Sequence, residues 1–352
     1  MRWHCLISYC YAGTILHVVM LREEAIAIVY ALLNRFWMVL ANITGAAQDL
    51  LFGEDLYCSP DITEGIHSQL TSILAINVFV GISATLGNTL ILVALHSESS
   101  LHPPSKLLLR CLATSDLCVG VTSEPLAYIY WIAVLNKRWE ICRFAGTVNF
   151  ISSYILCSVS LLTLTAISAD GLLALLLGLR YKQVVTLKRI YVVLSSFWIV
   201  STVAATMSVW NSLITFSYGY IGIAVCLTTS LYCYTRIFLN LRQLQSQVQD
   251  DRIRRETQSV TSPLNIGRYK KAVNTALWLQ LTLVACYLPH GISGALMFTE
   301  VKLSPSVFIA GQCTSTLIYF NSSLNPILYC WKIKEVKQAV KETIKRFYWF
   351  WR

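Results

Sequence analysis

Residues 65–97 read GIHSQLTSILAINVFVGISATLGNTLILVALHS, with no Asp, Glu, Lys or Arg between Glu64 and Glu98. A helix crosses the hydrocarbon core of a bilayer with about 20 apolar residues, so this stretch is long enough to span. The pattern then recurs. Between Arg143 and Arg180 the one charged residue is Asp170, and the interiors of 271–300 and 302–332 hold none. Arg189 to Arg236 encloses 46 uncharged residues, too many for one crossing. That stretch is read as two helices joined by a tight turn near Trp210 to Gly219. Leu107 to Trp131, which carries Arg110 near its start and Asp116 and Glu124 further in, completes the set. The expected fold is all-α: a seven-transmembrane helix bundle, its spans numbered one to seven along the chain.

Composition agrees. Of 352 residues, 55% are apolar and only 13% charged, against about 25% charged in soluble domains. The net charge of +10 reports loops rather than nucleic-acid binding. The segments after spans one, three, five and seven hold 21 of the 28 Lys and Arg. Positive charge resists translocation, so that side is cytoplasmic, as is the C-terminus, and the N-terminus is extracellular. Asn42-Ile43-Thr44 is an N-glycosylation sequon on the expected outer side. A second formal match, Asn321-Ser322-Ser323, lies inside span seven and is discounted.

Three regions follow: an outer segment over 1–65, the bundle over 66–331, and an inner tail over 332–352. Within 1–37, Leu6 to Leu21 has a weak signal-peptide character and Ala25 to Leu33 is a second short apolar run; neither is assigned a function. The third inner loop, about Gln243 to Arg268, is polar, contains Ser262-Pro263 and is expected to be mobile. In the tail, Val336, Val340 and Ile344 recur every four residues among lysines, which describes an amphipathic helix on an anionic inner leaflet. The membrane lipids are thus one partner, with Trp349-Phe350-Trp351 suited to the interface. Of the twelve cysteines, Cys58 and Cys142 lie in oxidising space and are candidates to bond or to stay free.

No His-Glu-x-x-His, Gly-x-Ser-x-Gly or phosphate loop occurs, and the six His are scattered. An enzyme is therefore not expected. A transporter or channel is disfavoured too, because inverted or matching halves are missing. The informative residues are the polar ones inside the spans. A carboxylate near the bilayer midplane costs about 2.5–3.5 kcal/mol on insertion scales, and Asp116 is one. Asn88, Ser160, Asn321, Ser322 and Asn325 can converge on it; each alone could simply cap a backbone group at a kink, but six together point to a shared centre.

Gly87-Asn88 in span one, Leu112-Ala113-Thr114-Ser115-Asp116 in span two, Trp198 in span four, Cys286-Tyr287-Leu288-Pro289 in span six and Asn325-Pro326-Ile327-Leu328-Tyr329 in span seven together resemble the rhodopsin-like G protein-coupled receptor family. The resemblance covers about 70–346, in the family's order. It implies a plasma-membrane receptor for an extracellular ligand, signalling to a heterotrimeric G protein. It implies that Asp116, Ser160, Asn321, Ser322 and Asn325 hold an allosteric sodium ion, with no cofactor required. It also implies hinges at Pro289 and Pro326, and an active state in which Tyr234 meets Tyr329.

The departures are specific. Where the family has Asp-Arg-Tyr at the inner end of span three, this chain has Asp170-Gly171-Leu172. Glycine can neither pair with the neighbouring carboxylate nor reach a G protein. A receptor-shaped protein that couples weakly is therefore the alternative reading, with the second inner loop, Arg180 to Arg189, as another carrier of coupling. The family's outer span-three Cys falls at Gly146, and span five has Cys226 in place of a common Pro. Together with the short loop between spans four and five, these features resemble the melanocortin and cannabinoid branch and receptors of simple animals. The pocket expected in the outer half is lined by Glu124, Asn149, Ser153, Tyr154, Cys157, Tyr287, His290 and Tyr319. Amine receptors carry Asp where Ser153 stands, so a peptide or lipid ligand is favoured over a biogenic amine.

Overall fold

The computed structural model describes residue 58 and residues 65–97, 101–209, 212–254, 278, 281–294 and 304–350, with side chains left aside at 209, 212–213, 241, 244–254, 332 and 346–350. All belong to one compact unit, Phe52–Arg352. The expectations at 1–37, at Asn42, at Ser262-Pro263 and for the Trp349-Phe350-Trp351 side chains lie outside what is described.

Every described element is helical. Span one is His67–Ser97. Span two has two helices, Pro103–Cys118 and Glu124–Leu135, joined by a wide π-helical turn over Val119–Ser123. Pro125 explains the widening: it has no N–H to give the preceding turn and its ring crowds the carbonyl there. Span three is Trp139–Leu177, entered through Lys137 at φ 53° and ended by Gly178 at φ 48°. That backbone region suits glycine at a helix terminus. Span four is Leu187–Thr206 and span five Ser212–Arg254. Residues 281–294 are the described part of span six. Span seven, Pro305–Lys332, starts with Ser304 Oγ accepting from Val307 N at 3.3 Å and with Pro305 in the first turn, both good starting residues.

Among the described residues, five helices are long and apolar enough to cross a membrane by themselves, namely spans one to five. Span seven has the length, at 28 residues, but its interior carries Gln312, Thr314, Ser315, Thr316 and Asn321. Such a helix crosses lipid with its polar face turned to its neighbours.

Two details differ from the sequence reading. The end of span four passes through a 3-10 turn at Met207–Val209, residues 210–211 lie outside what is described, and helix is present again from Ser212, so 212–219 is helical rather than turn. Span five also runs to Arg254, into the stretch read as a loop. Polar composition does not stop a helix that has no Pro or Gly, and 243–254 has neither.

Span three is the hub, packing on spans two, four, five and seven, while span one packs on two and seven. Gly87 is required there: a Cβ would fall 3.0 Å from Pro326 Cγ, so its absence lets span one close onto span seven. An outer apolar cluster includes Leu70, Trp131, Phe308 and Tyr319. An inner one joins Ile91, Leu112, Leu164 and Tyr329 to Val336 and Val340 of the last helix, Lys334–Phe350. The amphipathic tail thus turns Val336 and Val340 into the bundle, and only Ile344 of that trio is left exposed. The fourfold spacing marked an apolar stripe correctly but not what covers it.

Candidate functional site: a polar core between two faces

Asp116 is fully buried. Ser160 and Ser322 donate to its Oδ1 at 2.8 and 2.9 Å, and Asn325 Nδ2 donates to Oδ2 at 2.7 Å. Three spans therefore meet on one carboxylate. Asn88 joins from span one, its Nδ2 donating to Ser322 O and Ala84 O, each at 2.9 Å. Asn321 is buried close by in sequence, yet its Nδ2 has no partner and it does not bond to Asp116. The helices supply this convergence through register. Ser322 and Asn325, three apart on span seven, share one face, and Pro326 frees the turn beneath them.

The outer half holds a second group of polar side chains. Ser153 Oγ lies 2.8 Å from Tyr319 Oη and 3.1 Å from Asn149 Oδ1. Tyr154 donates to Thr215 O at 3.0 Å, and Tyr287 to Cys157 O at 3.4 Å. His290 Nδ1 is 3.3 Å from Thr314 Oγ1. An aromatic chain continues the wall, Phe150 to Phe216 at 5.3 Å between centroids, Phe216 to Tyr220 at 6.4 Å and Tyr220 to His290 at 6.3 Å. Phe150, Phe216, Tyr220 and Thr314 were not singled out in the sequence, because aromatics and hydroxyls are common in any apolar span. Asn149, Ser153 and Tyr154 remain partly exposed along span three. Glu124 does not open onto this space: it is fully enclosed.

At the inner end, Asp170 is held without an arginine. Ser105 Oγ donates to its Oδ2 at 2.8 Å and Tyr181 Oη to its Oδ1 at 2.7 Å, with 3.2 Å between those two hydroxyls. Tyr234 is bonded to Ser168, hydroxyl to hydroxyl, at 2.9 Å. Tyr329 is buried with its hydroxyl unpartnered. Ser105, Ser168 and Tyr181 carried no signal in the sequence, since each matters only through what it touches. Pro289 lies within the described helical part of span six and Pro326 within span seven.

Outside, Cys58 and Cys142 form a disulfide, with Cα atoms 6.0 Å apart and 84 residues between them in sequence. It ties the segment before span one to the top of span three.

The model of the 7 transmembrane receptor (rhodopsin family) matches residues 87–212 and 204–329. The chain belongs to this family. It is a multi-pass membrane receptor and not an enzyme, and family membership implies an extracellular ligand. Similar curated proteins include the adenosine receptor A3 of Ovis aries, 26% identical over 76% of this chain and 87% of that one. Those of Canis lupus familiaris and Bos taurus are 23% and 24% identical over the same 76%, covering 88% and 87% of their own lengths. None of these three is a melanocortin or cannabinoid receptor, and the branch is a proposal only.

Proposed function

We propose that this receptor binds its ligand in the outer half of the bundle, among Asn149, Ser153, Tyr154, Cys157, Tyr287, His290 and Tyr319, and passes the event to a heterotrimeric G protein. The observation that carries this reading is a set of three separate hydrogen-bonded groups at successive depths of the bundle, Ser153–Tyr319, Asp116 with Ser160, Ser322 and Asn325, and Ser168–Tyr234. Buried hydrogen-bonded groups have discrete arrangements, so a ligand that repacks the outer end can bias the inner one. The distribution of Lys and Arg supports an N-terminus outside and a C-terminus inside, and the family supports the plasma membrane as the site.

The open aromatic wall and the short outer loop after span four favour a peptide or lipid ligand. The relatives named adenosine receptors give a second candidate, adenosine, for which hydroxyl, amide and ring groups offer hydrogen bonds and stacking. A panel of both classes, read by nucleotide exchange on purified G proteins, tests the proposal. Binding without exchange across all G protein classes favours the weakly coupling alternative prompted by Gly171. No binding in the outer half, shown by unchanged affinity in Ser153→Leu and Tyr319→Phe variants, defeats the pocket.

We also propose sodium at Asp116. The residues fit: a buried carboxylate with hydroxyl oxygens from Ser160 and Ser322 is a hard oxygen set, and the hydroxyls can rotate to offer lone pairs. Asn325 and Asn321 would complete the shell only through their Oδ1 atoms, after a turn of each amide, since Nδ2 of Asn325 now faces the carboxylate and Nδ2 of Asn321 stands unpartnered. When bound, the ion neutralises the carboxylate and holds spans two, three and seven together.

A further inference from the structure

We propose that Glu124 and the acceptors around it form a second monovalent-cation site, distinct from Asp116, where spans one, two and seven meet. The two buried carboxylates of span two have opposite surroundings. At Asp116 both oxygens are met by donors. At Glu124, equally enclosed, neither Oε1 nor Oε2 has a hydrogen-bond partner. A buried carboxylate is retained in a membrane protein only with compensation; the Tyr128 hydroxyl lies near enough to interact with it, but no hydrogen bond of good geometry reaches either oxygen.

The neighbouring orphans are of one kind. Asn77 of span one is fully buried; its Nδ2 donates to Thr316 Oγ1 of span seven and to Ile73 O, both at 2.8 Å, while its Oδ1 has no partner. Ser123 Oγ, beside Glu124, is buried and unpartnered too. Pro125 leaves one carbonyl of the wide turn without its helical donor. Asn77 Oδ1 and the Glu124 carboxylate can only accept, whereas the Ser123 hydroxyl can turn either its proton or a lone pair toward a neighbour.

Gly81 brings them together. A Cβ at Gly81 would lie 2.5 Å from Tyr128 Oη, 3.1 Å from Glu124 Cβ and 3.3 Å from Glu124 Cγ. Its absence forms a cradle on span one in which Glu124 and Tyr128 both rest. Tyr128 spends its hydroxyl proton on Asn77 O at 2.7 Å, which leaves the carboxylate unsatisfied and orients the phenol oxygen as a further acceptor. Cys157 and Tyr319, both in the outer pocket, are electrostatic neighbours of Glu124. Hard oxygens with a single negative charge suit a monovalent cation, either a sodium ion or a guanidinium or ammonium group carried on a ligand.

The test uses the full chain in lipid nanodiscs with Asp116→Asn as background, so that the first site is removed. Sodium replaces choline at constant ionic strength, and methylguanidinium serves in a parallel arm as the probe for a ligand head. Expected is a rise in unfolding temperature of about 2–4 °C, the size that roughly fivefold saturation gives a chain of this class. The rise should vanish with Glu124→Gln and need at least threefold more cation with Asn77→Ala. A response to sodium assigns a free ion, and one confined to methylguanidinium assigns a ligand head. No rise with either cation overturns the site, as does a rise that survives Glu124→Gln. Should Glu124→Gln not fold, Glu124→Asp must shift the half-effect concentration, and an unchanged value counts against the site equally.

Discussion

Ser168 on span three and Tyr234 on span five are joined by a 2.9 Å hydrogen bond between their hydroxyls, both side chains buried. One turn further in, Gly171 leaves a gap: a Cβ there would find only Ile237 Cδ1, at 3.9 Å. In a chain without the family's arginine, this bond is what ties spans three and five at that level. Its removal should register directly. Ser168→Ala leaves the Tyr234 hydroxyl buried and unpaired, at a cost of about 1–3 kcal/mol. Thermal unfolding of Ser168→Ala, Tyr234→Phe and the double variant should show a coupling of about 0.5 kcal/mol or more; strictly additive losses would mean the two hydroxyls act independently.

Gly171→Arg should be tolerated. The site is exposed and open, and replacing glycine inside a helix is worth roughly 0.5–1 kcal/mol in favour of the variant. Its unfolding temperature should therefore hold or rise. If the lost arginine limits coupling, ligand-driven nucleotide exchange should rise as well. Equal exchange by native and variant chains would show that the second inner loop carries the coupling instead.

Asp116→Ala removes one acceptor and strands three donors, from Ser160, Ser322 and Asn325. With each stranded buried group costing about 1–3 kcal/mol, a loss of at least about 3 kcal/mol is expected, read as a large drop in unfolding temperature. Asp116→Asn is gentler and should abolish any sodium effect on ligand affinity, measured by radioligand competition in sodium against choline. A sodium effect of unchanged size would remove Asp116 from the ion's coordination.

Cys142→Ser opens a loop closed over 84 residues. Loss of such a crosslink typically costs about 2–4 kcal/mol, and Cys58→Ser should match it, since either variant breaks the same bond. Mild reduction of the native chain should reproduce the shift, and reduction of either variant should add nothing. A further drop on reducing Cys142→Ser would point to a second crosslink.

The spans were legible because lipid tolerates few charges, so uncharged runs mark crossings almost without reference to packing. Asp116 was legible for the same reason: an acid in such a run needs partners, and those on spans three and seven could be named. The resumption of helix at Ser212 was not, because no Pro or Gly marks that boundary. Nor was the division of labour between Asp116 and Glu124. Both are carboxylates in one span, and only three-dimensional neighbours make one satisfied and the other bare. The contacts at Ser105, Ser168 and Tyr181 join residues 11 to 76 apart, beyond the reach of local pattern.

The last helix has a mechanical meaning. Val336, Ala339 and Val340 are sunk between the inner ends of spans one and seven, and Ile333 N bonds Tyr329 O at 2.9 Å to make the corner. It therefore works as a wedge that clamps those two ends into a fixed stator. A rearrangement that opens the cytoplasmic face would then turn the other helices, and span seven above Pro326, against that stator, and loosening the wedge would blunt the stroke without touching the ligand.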